Sequence, residues 1–225
     1  MARGRDAVAV LNVMPGSHPV PRILLLPIHK ERRGSTPSEG SACGGSDDDD
    51  DAPPSAVPQG ATLDVAILGT TDLHANVLGY DYYKLAEDKS YGVDRTATLI
   101  ANARKQNPNT LLFDNGDTIQ GTALSDYQAL VAPVQCSDML AIYKQMKLLA
   151  YDAATMGNHE FNYGLPFLSQ VTNTDFGLAG ISKGTAQTNP ANAKDCAAPG
   201  FPFVSANVVS AATQQPLFKP WSLLT

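Results

Sequence analysis

Three short polar blocks carry the residues of this chain that are best suited to bind metal ions. They are Thr71-Asp72-Leu73-His74, Asp114-Asn115-Gly116-Asp117 and Gly157-Asn158-His159-Glu160, and they contain two of the four histidines of the chain. Carboxylates, imidazoles and a carboxamide together form the mixed oxygen and nitrogen ligand set that Zn, Mn or Fe ions accept. The blocks therefore predict a site for two divalent metal ions, of the kind that attacks phosphate esters.

The role of each residue follows from its type and spacing. Asp72 and His74 lie at positions i and i+2, which point to the same side of an extended segment, so both could reach one ion. Asp117 could bridge two ions, and Asn158 could add a neutral oxygen ligand. His159 would then be free to donate a hydrogen bond or a proton to a leaving oxygen. We predict the first four residues as metal ligands and His159 as the catalytic group.

The remaining polar residues of the blocks are predicted to have supporting roles. Glu160 is not needed to complete the ligand set, so we expect it to be structural or to support a ligand. Asp114 and Asn115 are expected to shape their loop. A lone Asp-x-His or a lone Gly-Asp at a strand end is usually structural, and it is the occurrence of all three blocks in this order that favours metal binding.

A β-prone run precedes each polar block. Strands are predicted over residues 63–68, 110–113 and 151–155, and a fourth over residues 201–207. Ligands of layered α/β folds gather beyond the carboxyl ends of the strands. We therefore expect the three blocks to form one site.

Helical spacing separates these strands. Residues 94–104 are predicted to form one helix with a stop at Asn107-Pro108, Ser137 to cap a second, and Gly164-Leu165-Pro166 to open a third. The residues expected to share a face are Ala97, Ile100, Ala101 and Arg104 in the first helix, and Met139, Ile142, Tyr143 and Met146 in the second. Residues 172–200 are predicted to be a long surface loop. The alternation of strands and helices predicts an α/β fold.

The N-terminal segment differs in composition from the rest. Residues 1–61 are predicted to be a disordered leader, export and tether segment, and residues 62–225 the folded part. Cys43 follows small residues and precedes a polar tether that includes five consecutive aspartates at 47–51. This pattern is typical of the lipidated cysteine of a bacterial lipoprotein, so one hypothesis is a lipid anchor at Cys43 and a location in the periplasm or cell envelope. The alternative is a plain disordered leader.

Charge and cysteine content bound the remaining possibilities. The net charge is −6, and the aspartate run accounts for most of it, so the folded part is nearly neutral and a nucleic-acid polymer is not an expected partner. No apolar run approaches the roughly 20 residues of a membrane-spanning helix. In an exported protein disulfides persist, so we predict a Cys136–Cys196 bridge, the alternative being two buried thiols.

Longer segments around the blocks resemble one known family. Residues 70–76, 80–84, 114–121 and 157–164 resemble the calcineurin-like metallophosphoesterases, in particular the exported nucleotidases that act on 2',3'-cyclic nucleotides. The resemblance runs from about Leu63 to about Pro220. Asn162 favours this branch, because 5'-nucleotidases usually have there an aspartate that orients the catalytic histidine.

The resemblance implies a fold, an activity and a departure from the family. It implies the first half of a four-layer α-β-β-α sandwich, two divalent metal ions and a small-molecule nucleotide substrate. The implied reaction is attack by a two-metal-activated hydroxide on 2',3'-cyclic nucleotides and then 3'-nucleotides; a 5'-nucleotidase or UDP-sugar hydrolase is the alternative. No histidine follows His159 in this chain, whereas the family has further histidine ligands and a separate nucleotide-binding domain. We therefore interpret the chain as an N-terminal portion that is expected to be catalytically inactive in isolation.

Overall fold

The structure is a computed structural model that describes residues 26–28, 63–178, 181 and 196–224. Six strands and four α-helices alternate along these described residues. In chain order they are β1 (Leu26–Ile28), β2 (Val65–Thr70), β3 (Tyr80–Asp81), β4 (Ala86–Glu87), α1 (Val93–Gln106), β5 (Thr110–Asp114), α2 (Ala123–Asp126), α3 (Ala141–Leu148), β6 (Ala153–Ala154) and α4 (Leu165–Thr172). Within this part of the chain no helix is both long and apolar enough to cross a bilayer.

The main sheet determines where the polar blocks lie. Its strand order is β1-β2-β5-β6, and β3 and β4 form a separate hairpin. β2 is parallel to β5, with Thr70 opposite Asp114 at the carboxyl end, and β5 is parallel to β6, with Asp114 opposite Ala154. The fold is thus mixed α/β with a parallel sheet, as predicted, and the three polar blocks leave it at the same edge.

Two of the predicted strands are shorter in the structure. Of residues 151–155 only Ala153–Ala154 pair as a strand. The continuous strand predicted over 201–207 is wrong: Phe203 bridges Ala154, Val204 bridges Lys219, and no longer ladder forms among these described residues. Pro202 has no N–H to donate, which limits regular pairing here. In addition, β1 lies antiparallel to β2, in a segment for which the sequence predicted no strand.

The helices agree with the predictions at their ends more often than on their faces. α1 ends at Gln106, directly before Asn107-Pro108, and Pro166 lies in the first turn of α4, as predicted. The predicted face of α1 is partly wrong, because Ala101 is exposed whereas Ala103 packs against the core. Burial of the short stripe Val93, Thr96 and Ile100 determines the orientation of this helix.

The predicted cap of α3 is also wrong. The helix begins at Ala141, four residues after Ser137, and Ser137 is exposed. The preceding residues form a turn instead, in which the N–H of Asp138 donates to the carbonyl of Gln135 at 2.9 Å. The predicted apolar face of α3 is confirmed for Ile142, Tyr143 and Met146, which are buried. Met139, predicted on the same face, precedes the helix and is only partly buried against the core.

A disulfide and buried side chains attach the segment after α4 to the rest of the described chain. Cys136 and Cys196 are bonded, as predicted, with their Cα atoms 4.5 Å apart. Phe176 and Cys196 are buried, so the segment 172–200 is not entirely the surface loop that was predicted. Residues 182–195, Cys43 and the aspartate run lie outside the described residues.

Candidate active site

Asp72 and His74 follow β2 in a tight turn. The extended segment predicted here is wrong: both residues have left-handed backbone, with φ of 55° and 48°. The turn nevertheless brings the two side chains together, because Asp72 Oδ1 lies 3.6 Å from His74 Nε2. Non-glycine residues in this region carry strain of about 1–3 kcal/mol each, which the surrounding structure must offset.

Main-chain hydrogen bonds hold this turn against the loop that carries Asp117. The N–H of Asp72 donates to the Gly116 carbonyl at 3.0 Å, and the N–H of His74 donates to the Asp117 carbonyl at 3.0 Å. These bonds continue the pairing of β2 with β5 beyond the strand ends. Asp117 itself has a φ of 57°. The first two polar blocks therefore form one rigid unit.

The third block packs against Asp117. The N–H of His159 donates to Asp117 Oδ1 at 2.8 Å. Gly157 makes this approach possible, because a Cβ at that position would lie 2.2 Å from the same oxygen. Asn158, between these two residues, has an exposed side chain and stands at the start of the 3₁₀ turn His159–Phe161.

Glu160 joins the second and third polar blocks through hydrogen bonds to the main chain. Its side chain is buried, and its carboxylate accepts hydrogen bonds from the main-chain N–H groups of Gly157 (2.7 Å), Asp117 (2.8 Å), Thr118 (2.6 Å) and Ile119 (3.3 Å). Burial raises the pKa of this carboxyl, while these donors act in the opposite direction. The contacts agree with the structural role that the sequence suggested for Glu160.

Asp114 supports the same loop from the core. It is buried, and it accepts hydrogen bonds from the Thr70 hydroxyl at 2.6 Å and from the Gly116 N–H at 3.0 Å. Desolvation raises the pKa of Asp114 to about 7, although the hydrogen bonds from Thr118, Thr70 and Gly116 lower it. Asp114 thus shapes the loop, as expected.

The two ring nitrogens of His74 have different surroundings. Its Nδ1 lies 2.7 Å from the main-chain carbonyl of Gln120. A carbonyl only accepts, so Nδ1 carries the hydrogen, and in the neutral ring Nε2, on the side of Asp72, has a free electron pair. A ligand histidine whose other nitrogen donates to a carbonyl is the usual arrangement in metal sites.

His159 stands beside His74. The two ring centroids are 5.1 Å apart, with the planes at 81°. His159 Nδ1 lies 2.6 Å from Gln120 Oε1 and 2.9 Å from Asn162 Nδ2. Asn162 thus contacts the histidine, as expected from the resemblance. Gln120 was not identified from the sequence, where its only signal is its position three residues after Asp117.

The residue types of the predicted ligand set suit a divalent cation. Asp72 and His74 offer a carboxylate and an imidazole nitrogen on one side, and Asp117 and Asn158 belong to the loops packed against them. Within the part of the chain that the structure describes, no three His, Cys, Asp or Glu side chains are arranged to enclose a single ion. The pair formed by Asp72 and His74 is the part of the predicted ligand set whose contact is direct.

Comparisons with known proteins give the same family as the motifs. The profile of the calcineurin-like phosphoesterases matches residues 65–198. A 2',3'-cyclic-nucleotide 2'-phosphodiesterase/3'-nucleotidase of Yersinia enterocolitica is 39% identical over 170 residues, which are 76% of this chain and 22% of that protein. Protein UshA of Escherichia coli is 29% identical over 172 residues, 75% of this chain and 24% of that protein.

A solved structure supports the fold. The crystal structure of the calcineurin-like phosphoesterase YfkN from Bacillus subtilis matches with a TM-score of 0.54 and 39% identity, covering 68% of this chain and 40% of that one. The chain spans less than a quarter of the length of the Yersinia enterocolitica relative. Because the family profile covers more than half of its residues, the chain belongs to the calcineurin-like phosphoesterase family.

Proposed function

We propose that this chain supplies part of a two-metal site that hydrolyses 2',3'-cyclic nucleotides and then 3'-nucleotides. The observation that carries the proposal is the pairing of Asp72 with His74. Their side chains lie 3.6 Å apart, and the Gln120 carbonyl holds the far nitrogen of the imidazole. This arrangement directs a carboxylate and an unprotonated ring nitrogen toward the same space, which is what a Zn, Mn or Fe ion requires.

Each site residue has a role in this proposal. Asp72, His74, Asp117 and Asn158 would hold the ions. When bound, two such ions neutralise the charge of the phosphate and make water a stronger nucleophile. The Asp117 carboxylate also orients His159 by accepting a hydrogen bond from the main-chain N–H of His159.

The proton donor of the proposal is His159. Its ring stands next to that of His74, so it faces the same space as the ligands without being needed as one. From there it would donate a hydrogen bond or a proton to the oxygen that leaves the phosphorus.

The substrate class rests on relatives and on Asn162. The Yersinia enterocolitica relative and one from Salmonella typhimurium, at 39% and 40% identity, are both named 2',3'-cyclic-nucleotide 2'-phosphodiesterase/3'-nucleotidase. Asn162 contacts His159 with a neutral amide. A 5'-nucleotidase or UDP-sugar hydrolase, in which a carboxylate is expected there, is the alternative activity.

Metal binding tests the site directly. Titration calorimetry of the chelator-treated chain with Mn²⁺ and with Zn²⁺ should show binding. The double variant Asp72→Asn, His74→Gln should weaken it at least tenfold, because both members of the contacting pair are lost. Asp175→Asn, at an exposed aspartate outside the three blocks, is the matched control. Equal affinity in all three proteins would contradict the proposed site.

Hydrolysis tests the activity. We expect the isolated 225-residue chain to show little turnover, because the family implies histidine ligands beyond His159 and the chain has none there. The same residues joined to the C-terminal part of the Yersinia enterocolitica relative should hydrolyse 2',3'-cyclic AMP faster than 5'-AMP. A preference for 5'-AMP would favour the alternative activity, and fast metal-dependent turnover by the isolated chain would contradict the expected inactivity.

The proposed location is the periplasm or cell envelope, with a lipid on Cys43. The disulfide Cys136–Cys196 supports an oxidising compartment. Mass spectrometry of the mature N-terminus in the native host tests the anchor. An unmodified Cys43 would contradict it.

A further inference from the structure

Gln120 contacts both imidazoles of the candidate site. Its main-chain carbonyl lies 2.7 Å from His74 Nδ1, and its side-chain Oε1 lies 2.6 Å from His159 Nδ1. Both Gln120 atoms are oxygens that can only accept a hydrogen bond. Each histidine is therefore held with hydrogen on Nδ1 and with Nε2 unprotonated in the neutral ring.

Asn162 shares this acceptor. Its Nδ2 donates to Gln120 Oε1 at 3.1 Å, and it lies 2.9 Å from His159 Nδ1. Gln120 Oε1 accepts from both nitrogens when His159 Nδ1 carries the hydrogen, and the 2.9 Å contact between Asn162 Nδ2 and that ring nitrogen then joins two donors and is not a hydrogen bond. In this arrangement Gln120 is the hydrogen-bond acceptor of His159, and Asn162 is a second donor to the same oxygen.

The backbone around Gln120 explains how one residue reaches both rings. Gly121 has a φ of 142°, and a Cβ there would lie 2.8 Å from the His74 Cβ. Ile119, on the other side, is buried, and Ser125 Oγ accepts from the N–H of Gly121 at 3.2 Å. The chain is thereby held close to the His74 ring, with the Gln120 carbonyl directed at it.

We propose that Gln120 is a positioning residue that fixes the tautomers of both imidazoles, that of His74 through its main chain and that of His159 through its side chain. The inference rests on the proposed function, in which His159 donates from Nε2 when that nitrogen also carries a proton, while Nδ1–H stays on Gln120. A replacement of the Gln120 side chain should therefore affect the two histidines differently. It removes the acceptor of His159, whereas the main-chain carbonyl that holds His74 remains.

The test is the ring nitrogen spectrum of the two histidines. Two-bond ¹H–¹⁵N spectra are recorded for the metal-free 225-residue chain at a pH of about 8.5, where free imidazole is neutral. Signals are assigned by their loss in His74→Gln and His159→Gln variants. In the wild-type chain both rings should show the Nδ1–H tautomer.

Three variants separate the possible outcomes. Gln120→Leu should shift the His159 signals toward a mixture of tautomers and leave those of His74 unchanged. Gln120→Glu keeps an acceptor oxygen and should restore the wild-type pattern of His159. Asn162→Leu should preserve that pattern, because Gln120 remains. Should Gln120→Leu fail to fold, as judged by circular dichroism, Gln120→Ala carries the same expectation.

Three results would overturn the inference. They are unchanged His159 signals in Gln120→Leu, a shift of both histidines in that variant, or a loss of the tautomer in Asn162→Leu alone. A different result would contradict the proposed function. If the wild-type chain binds no Mn²⁺ or Zn²⁺ while the spectra respond as expected, the role of Gln120 stands without the hydrolase; the reverse combination removes the role of Gln120 only.

Discussion

At the scale of single residues, the closest packing in the site is between Gly157 and Asp117. A Cβ on Gly157 would lie 2.2 Å from Asp117 Oδ1 and 2.6 Å from its main-chain nitrogen. Neither atom can move freely, since Oδ1 accepts from His159 and the nitrogen donates to Glu160. The glycine therefore permits the contact on which the geometry of the second and third blocks depends.

Gly157→Ala should destabilise the chain by about 1–3 kcal/mol, the usual cost of forcing a methyl group into a packed site. Gly69→Ala is the matched control, because a Cβ there meets nothing within 4 Å. It should be neutral or stabilising by up to about 1 kcal/mol, as glycine is unfavourable inside a strand. Urea unfolding of both variants measures the difference. Equal midpoints would show that the loop at Asp117 yields to the added methyl group.

His159→Ala separates catalysis from metal binding. We expect the affinity of the isolated chain for Mn²⁺ to change less than twofold, because the contacting pair Asp72 and His74 is untouched. In the fusion with the C-terminal part of the relative, kcat should fall by about 10²–10⁴, the range for loss of a general acid. A loss of metal affinity in the isolated variant would instead make His159 a ligand.

At the scale of elements, the strand ends could be predicted and the turns after them could not. The position of the blocks after β2, β5 and β6 could be predicted, because β-prone runs and polar motifs are recognised from their residue types. The left-handed backbone of Asp72 and His74 has no such signal, since neither residue is a glycine. Gln120 was missed for a similar reason: half of its role belongs to a carbonyl, which every residue type has.

The helix errors also have physical causes. The sequence shows that α1 is amphipathic but not which of Ala101 and Ala103 faces the core, and in the structure Ala103 packs against the core while Ala101 faces solvent. Ser137 is a common N-cap residue. In the structure Ser137 instead lies inside the turn closed by the hydrogen bond from the N–H of Asp138 to the carbonyl of Gln135, and the helix begins later, at Ala141.

The buried carboxyl at the end of β5 predicts a pH dependence. The pKa of Asp114 in the folded chain is about 7, against 3.8 for a free aspartate. Because the folded state binds this proton more tightly, its contribution to stability is complete below about pH 4 and is lost as the pH rises through about 7.

Asp114→Asn should remove this dependence. The asparagine side chain has nearly the same shape as that of aspartate but does not ionise. The free energy of unfolding of the wild-type chain minus that of the variant should therefore fall between pH 4 and pH 7.5. Urea unfolding in the presence of a chelator, at several pH values, measures it. Taking the difference cancels Glu160, whose raised pKa acts in both proteins. A difference that stays nearly flat over this pH range would mean that Asp114 is ionised throughout, held by its three hydrogen bonds.

At the scale of the whole molecule, the disulfide joins residues 60 positions apart. Closing a loop of this size restricts the unfolded chain, and the chain-entropy estimate is about 4 kcal/mol, with typical measured values of about 2–4 kcal/mol. Cys136→Ser, Cys196→Ser should therefore lower the free energy of unfolding by an amount in that range. The comparison is made in a Cys43→Ser background, which prevents other pairings. A loss well below 1 kcal/mol would show that the bridge contributes little.

Strand β1 has a consequence for the proposed lipid anchor at Cys43. Leu26–Ile28 pair with the outer side of β2, and they precede Cys43 in the chain. A protein cut so that a lipidated Cys43 becomes its first residue loses this strand, and the N–H and C=O groups along one side of β2 then have no β1 to pair with. If the proposed lipidated form exists, the outer side of β2 would no longer be covered by β1 and would be available to another polypeptide.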